Sequence, residues 1–153
     1  MKNLFQVFAI TYLIVFTLLF SASGQTQPKS ELYAPIYSIY YPTGKWDLTT
    51  NNIDFLNSYV IQKIKIKDPP DLIIYLEGHT DDVGDSIVNL ELSQKRVQAV
   101  ADYLISNGFR ADQIHITFYG ESKPEERKIA ISNNSEDIRY ANRRVTIRIE
   151  KLL

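Results

Sequence analysis

Between residues 144 and 149 a polar side chain alternates with a branched apolar one, Arg144, Thr146 and Arg148 against Val145, Ile147 and Ile149. Successive strand side chains point to opposite faces, so this segment reads as a half-buried antiparallel strand with one face in a core and one toward water. On this reading Arg144 and Arg148 are solvated, and the rest of the chain must supply a cover for Val145, Ile147 and Ile149.

Two helical patterns can supply it. Ile53, Leu56, Val60 and Ile64 recur at three- and four-residue spacing in a helix that Asp47 or Thr49 could cap and that Pro69 and Pro70 stop after about Lys67. A longer helix is expected from Ser86 to Asn107, with Leu92, Val100 and Leu104, and Val88 and Val97 nearby, on its apolar side. Glu91 and Lys95 support it at i,i+4, and Gly108 closes it. Strands are expected at Tyr33 to Tyr41, Leu72 to Leu76 and Ile114 to Tyr119, and Gly120 to Tyr140 reads as a polar excursion. The resulting order β-α-β-α-β-loop-β gives an α+β fold in which two main helices cover one face of a single sheet.

The first 24 residues stand apart. Lys2 is their only charged side chain, Leu4 to Phe20 is almost wholly apolar, and Ser21, Ala22, Ser23 and Gly24 follow. This pattern matches a secretory signal cleaved after Gly24, the alternative being a retained anchor, because the run is at the short limit for a membrane span. Either reading exports the remainder, and any membrane contact is confined to residues 1–24. Residues 25–34 then read as a short linker and 35–153 as one domain.

Composition narrows the function. The 17 Lys and Arg against 18 Asp and Glu leave no basic surface to draw the chain to nucleic acid. The absence of cysteine excludes disulfides, thiol nucleophiles, iron–sulfur clusters and a lipidated N-terminal cysteine. His79, Asp81, Asp82 and His115 match no compact metal spacing, no glycine-rich phosphate loop is present, and no cofactor is expected.

The densest polar constellation is Gly78-His79-Thr80-Asp81, Gly84, Asn89, Leu92-Ser93 and Arg96, with Asn142-Arg143-Arg144-Val145 returning later, supported by Tyr119-Gly120-Glu121 and Pro124. In these residues the chain resembles the OmpA-like C-terminal domain family, also found in peptidoglycan-associated lipoproteins and flagellar motor stator proteins. The resemblance covers roughly Ile39 to Ile149. It implies a βαβαββ-like domain outside the cytoplasm, in the periplasm or cell envelope, with association with the outer membrane left open. Such a domain binds the stem peptide of peptidoglycan noncovalently, through its diamino acid. By motif position Asp81 resembles the family's ligand-holding aspartate and Arg96 its partner arginine, contacting a ligand carboxylate. Thr80, Asn89 and Leu92 fall at pocket-shaping positions, and Arg143 is a further addition.

The residue chemistry is compatible with that role. A diamino acid presents a carboxylate and an ammonium; an arginine fork suits the first and an aspartate the second. Backbone N–H groups from Thr80 to Gly84 could add donors where the helix begins, and Asn89 can both donate and accept. The competing reading of Asp81 and Arg96 is a structural salt bridge at the strand–helix joint. Two departures from the family pattern bear on selectivity: Tyr40-Tyr41-Pro42 stands where many relatives have Phe-Phe-Asp, and Asp82 replaces a common amide residue.

Two other functions are open on sequence. One is an envelope structural or protein-interaction domain, with Tyr33, Tyr37, Tyr40, Tyr41 and Trp46 as a partner surface. The other is a hydrolase using His79 with Asp81 or Glu121. His79 itself reads as a packed turn residue.

Overall fold

The computed structural model describes residues 29–32, 34–67, 72–126, 131 and 133–153. The expected signal segment 1–24 lies outside the described residues, as does Tyr33. The elements in chain order are β1 (Ser30–Leu32), β2 (Tyr37–Tyr40), helix α1, β3 (Leu72–Gly78), α2 (Ser86–Ser106), a short 3-10 turn (Ala111–Gln113), β4 (Ile114–Phe118), α3 (Ser135–Asn142) and β5 (Arg144–Leu152). Helix α1 consists of α-helical Thr50–Phe55, a π-helical stretch Leu56–Ile61 and α-helical Gln62–Lys67.

The alternating segment forms the centre of the sheet. β5 pairs antiparallel with β3 on one side, and with β1 and β2 end to end on the other; β3 in turn pairs parallel with β4. The sheet is therefore mixed, and β3-α2-β4 is its one parallel crossover among the described residues. Ser30–Leu32, within the stretch read as linker, pairs with Glu150, Lys151 and Leu152. The expected first strand is confirmed only over Tyr37–Tyr40.

Alternation sorts the strands as expected. Val145, Ile147 and Ile149 join Ile74, Leu76 and Ile39 on the covered face, where they meet Leu56, Val60 and Ile64 of α1 and Val97, Val100 and Leu104 of α2. Thr49 caps α1, its hydroxyl accepting from the Asn52 N–H at 3.2 Å. Ile53, expected in the buried stripe, is only half-buried. In that first turn Asn52 points inward instead and donates to the Tyr40 carbonyl at 3.3 Å. The π-helical stretch widens the turn and brings Ile61 into the core beside Val60.

Helix α2 meets the sheet closely because Gly78 leaves room. A Cβ at that position would stand 2.4 Å from the Ser93 carbonyl oxygen and 2.8 Å from Val97 Cγ1. Val88, expected on the apolar side of α2, is exposed, as are Val83 and Ile87. The first turn extends beyond the sheet, and close packing begins at Asn89 and Leu90, which rest on Gly120. The polar excursion also contains structure: α3 is capped by Asn134, whose side chain accepts from the Glu136 N–H at 2.9 Å.

Candidate functional site

Three chain reversals converge at one end of the sheet. β2 leaves through Tyr41 and Pro42, β3 through Gly78 to Asp81, and α3 enters β5 through Asn142 and Arg143. Main-chain bonds tie them together: Tyr41 N–H donates to the Arg143 carbonyl (2.8 Å), His79 N–H to the Arg144 carbonyl (2.9 Å) and Thr80 N–H to the Gly120 carbonyl (2.8 Å). The antiparallel register that opposes Gly78 to Val145 is what brings residues 143–144 beside 79–81.

Asp81 is buried, and its Oδ2 accepts from Arg143 Nη1 at 2.9 Å. Arg143 spends its other donors on Glu136 (Nη2 to Oε1, 2.7 Å) and the Tyr41 carbonyl (Nε, 3.2 Å). Burial alone would lower the Arg143 pKa, but its bonds to Asp81 and Glu136 outweigh this and raise it.

Arg96 is fully enclosed, with 0% of its surface exposed. Its Nε donates to the Lys45 carbonyl (2.9 Å), Nη1 to the His79 carbonyl (2.8 Å) and Nη2 to the Pro42 carbonyl (3.4 Å). The guanidinium lies 5.0 Å from the Tyr41 ring centroid. Burial lowers its pKa to about 10, opposed by the Tyr41 and Asp81 charges and reinforced by Arg143, so it remains a cation at neutral pH. Burial likewise raises the Tyr41 phenol, against the pull of Arg96. The Asp81 charge thus acts on Arg96 through space, while the hydrogen-bonded ion pair of Asp81 is with Arg143.

The other sequence-selected residues surround this cluster. Thr80 is buried with no hydrogen-bond partner for Oγ1 among the described residues. Asn89 is buried and donates to the Val83 carbonyl (3.2 Å) and to Glu121 Oε2. Leu92 is half-buried on the next turn. Asp85, not singled out from sequence, caps α2 by accepting from the Ile87 and Val88 N–H groups at 2.8 and 3.3 Å. Ser93, quoted in the motif but given no role, receives the Gly120 N–H at 3.0 Å and donates to the Leu90 carbonyl at 2.7 Å, pinning the end of β4 to α2. Asp82 is exposed and pairs with Arg139 at 3.3 Å.

On the opposite sheet face, residues 122–126 fold over His79 and Arg144. Arg144, expected in solvent, is buried, with Nε 3.6 Å from Glu125 Oε2 and Nη1 3.5 Å from Asn142 Oδ1. Alternation gave its face correctly; the crossing loop removed the water. Arg148 is half-buried, 4.2 Å from the Tyr75 ring centroid. His79 is 2% exposed and tilts against Tyr119 at 5.4 Å. His115 lies elsewhere, stacked on Tyr75. Among the described residues no group of three or more His, Asp or Glu could hold a metal ion.

Burial, then the charges of Arg144 and Lys123, lower His79 to a pKa of about 4, against a raising contribution from the Lys123 backbone. The unfolded chain takes up this proton near 6.5 and the folded chain near 4, so the stabilisation is complete above 6.5 and is lost as pH falls through that window. Relative to a His79→Gln variant, the protein is expected to lose about 3 kcal/mol of unfolding free energy between pH 7 and 4. Urea melts of both proteins at the two pH values measure it, and parallel losses would remove His79 as the cause.

The aromatic residues offered as a partner surface divide. Tyr41 is core, Tyr37 packs edge-on against Phe55, and Tyr40 and Trp46 are exposed, with Lys95 lying 5.1 Å from the Trp46 ring centroid.

Comparison with known proteins matches residues 40–143 to the sequence model of the OmpA family. Outer membrane protein A of Escherichia fergusonii is 46% identical over 57 residues, covering 37% of this chain and 24% of that protein. Peptidoglycan-binding protein ArfA of Mycobacterium bovis is 36% identical over 83 residues, covering 54% of this chain and 24% of that protein. The chain therefore aligns with only about a quarter of the length of these relatives. Among solved structures, the peptidoglycan-associated lipoprotein from Burkholderia pseudomallei superposes with a TM-score of 0.60 at 26% identity, over 73% of this chain and 88% of that one.

Proposed function

The chain belongs to the OmpA family, and from that premise we propose that it binds peptidoglycan noncovalently in the bacterial envelope, gripping the diamino acid of the stem peptide and so contributing to anchorage. The observation that carries this reading is the buried Asp81–Arg143 pair with Arg96 beside it. Asp81 and Glu136 balance Arg96 and Arg143, so the cluster is electrically neutral. A ligand bearing one ammonium and one carboxylate leaves it neutral, whereas a simple anion or cation would place net charge at a largely desolvated point.

In this reading Asp81 Oδ1 faces the ligand ammonium while Oδ2 stays on Arg143. The ligand carboxylate meets Arg143 first; Arg96 contacts it only if the segment from Pro42 to Lys45 yields. Thr80 offers its unpaired hydroxyl, and Asn89 and Leu92 shape the wall toward α2. Pro42, standing where the family pattern has an acid, brings no carboxylate, and its carbonyl is already held by Arg96 and the Lys45 N–H; the acids left to the region are Glu136, Asp82 and Glu121.

The same geometry favours binding over bond cleavage. Asp81 is committed to an arginine, His79 is neutral and enclosed on the other sheet face, and Glu121 is bonded to Asn89. Incubation with purified, labelled peptidoglycan should give retention on the sacculi without soluble fragments. Absence of retention would contradict binding, and fragments released by rigorously purified protein would contradict a noncatalytic role.

A further inference from the structure

The Asp81–Arg143 pair is braced from the open face of the sheet. His79 stands two residues before Asp81, and its main chain is held on both sides: the N–H donates to the Arg144 carbonyl (2.9 Å) and the carbonyl accepts from Arg96 Nη1 (2.8 Å). Its imidazole lines a cavity of about 460 Å³ beneath residues 122–126. The same loop reaches the other member of the pair. Glu125 donates its N–H to Asn142 Oδ1 at 2.7 Å and holds its carboxylate 3.6 Å from Arg144 Nε. Asn142 and Arg144 flank Arg143 in the chain, so one short segment supports Asp81 through His79 and Arg143 through its two neighbours.

This enclosure suits a neutral ring and opposes a charged one. His79 is 2% exposed, and neither ring nitrogen has a hydrogen-bond partner among the described residues. Burial, and then the charge of Arg144 on β5, oppose a proton on the imidazole; the Lys123 backbone favours it and the Lys123 ammonium opposes it. Arg96 of α2 adds a further cation on the His79 carbonyl. The acids of the cavity are Glu77 of β3 and Glu125 and Glu126 of the loop. Glu125 is turned to Arg144, and Asp81 to Arg143. An imidazolium would therefore be enclosed without a bonded counterion. The wall that can lift to admit water is the loop, which is exposed at Ser122, Lys123, Pro124 and Glu126.

We infer that His79 is a positioning residue for the ligand site, and that its protonation lifts residues 122–126 and weakens binding at Asp81 and Arg143. Mild acid thereby loosens the protein's hold on its ligand. The inference rests on the stem-peptide reading of that pair. The enclosed ring takes up its proton near 4 and a water-exposed ring near 6.5, so falling pH favours the lifted loop, by roughly 20-fold between pH 7 and 5. A ligand that requires the closed arrangement must in turn hold the ring neutral.

Calorimetric titration with a diaminopimelate stem peptide at pH 7 and 5 tests this in the wild type, His79→Gln and His115→Gln, each confirmed folded at both pH values. His115 is stacked on Tyr75, away from the cavity. Between pH 7 and 5 the wild type and His115→Gln should lose at least threefold more affinity than His79→Gln. A second readout uses the wild type alone. At pH 5, saturating peptide should move the His79 imidazole NMR signals toward the neutral form, by more than any change it causes at pH 7. Equal losses in the wild type and His79→Gln, or imidazole signals that peptide leaves in place at pH 5, would overturn the acid response and leave the charged site standing. Failure of the wild type to bind the peptide at pH 7 would overturn the two together.

Discussion

Asp81→Asn is expected to weaken binding of a diamino-acid stem peptide by about 2–5 kcal/mol, because it removes the acceptor for the ammonium and leaves a buried guanidinium short of its partner. The substitution is close to isosteric, so the cavity is kept and the charge is lost. Glu136→Gln supplies the contrast. Glu136 bonds the same guanidinium but its side chain is 64% exposed, and water can replace what it gives, so a loss below about 1 kcal/mol is expected. Titration of both variants, each confirmed folded at the working temperature, separates the roles. Binding by Asp81→Asn within twofold of the wild type would remove Asp81 from the site.

Arg96→Met is expected to act mainly on folding. The arginine holds three carbonyls, those of Pro42, Lys45 and His79, that belong to two different chain reversals. Methionine fills much of the volume but leaves the buried His79 carbonyl unpaired and releases the part-buried Lys45 carbonyl, while the Pro42 carbonyl keeps the Lys45 N–H at 3.2 Å. Unsatisfied acceptors of this kind cost roughly 1–3 kcal/mol each, offset in part by relief of the arginine's own desolvation, so a net loss of about 3–5 kcal/mol is expected. That is a large share of the roughly 5–15 kcal/mol that holds a typical domain together. Arg96→Lys should recover only part of it, since a single ammonium cannot span all three oxygens. Urea unfolding measures the loss, and a change below about 1 kcal/mol in Arg96→Met would contradict the bracing role.

These two expectations divide labour between arginines that the sequence motif set out differently. The motif pointed to Asp81 and Arg96 as the charged pair, with Arg143 as an addition. Both arginines lie at the site, but the direct bond of Asp81 runs to Arg143. Their separation of 62 positions is closed by the register of β3 against β5, a nonlocal pairing that side-chain patterns alone do not specify.

Local physics was legible where it was one-dimensional. The alternation of residues 144–149 fixed which side chains enter the core, and the 3.6-residue spacing located both main helices. The misreadings arose where a neighbouring segment changed the environment of a correctly placed residue. Val88 lies beyond the sheet and stays exposed; Arg144 is on the open face but covered by residues 122–126. The π-helical stretch of α1 carries no signal in apolar spacing. Helix α3 is short and polar, yet its cap was readable in principle: Asn134 precedes Glu136 and Asp137, with Arg139 in the last turn.

The central claim is that the pair of Asp81 and Arg143, braced by the enclosed Arg96, recognises an ammonium and a carboxylate together. Calorimetric titration with two stem peptides of identical length tests it most directly, one carrying diaminopimelate with its side-chain carboxylate free and the other carrying lysine, which keeps the ammonium and lacks the carboxylate. The account predicts at least tenfold tighter binding of the diaminopimelate peptide; equal affinities would contradict it.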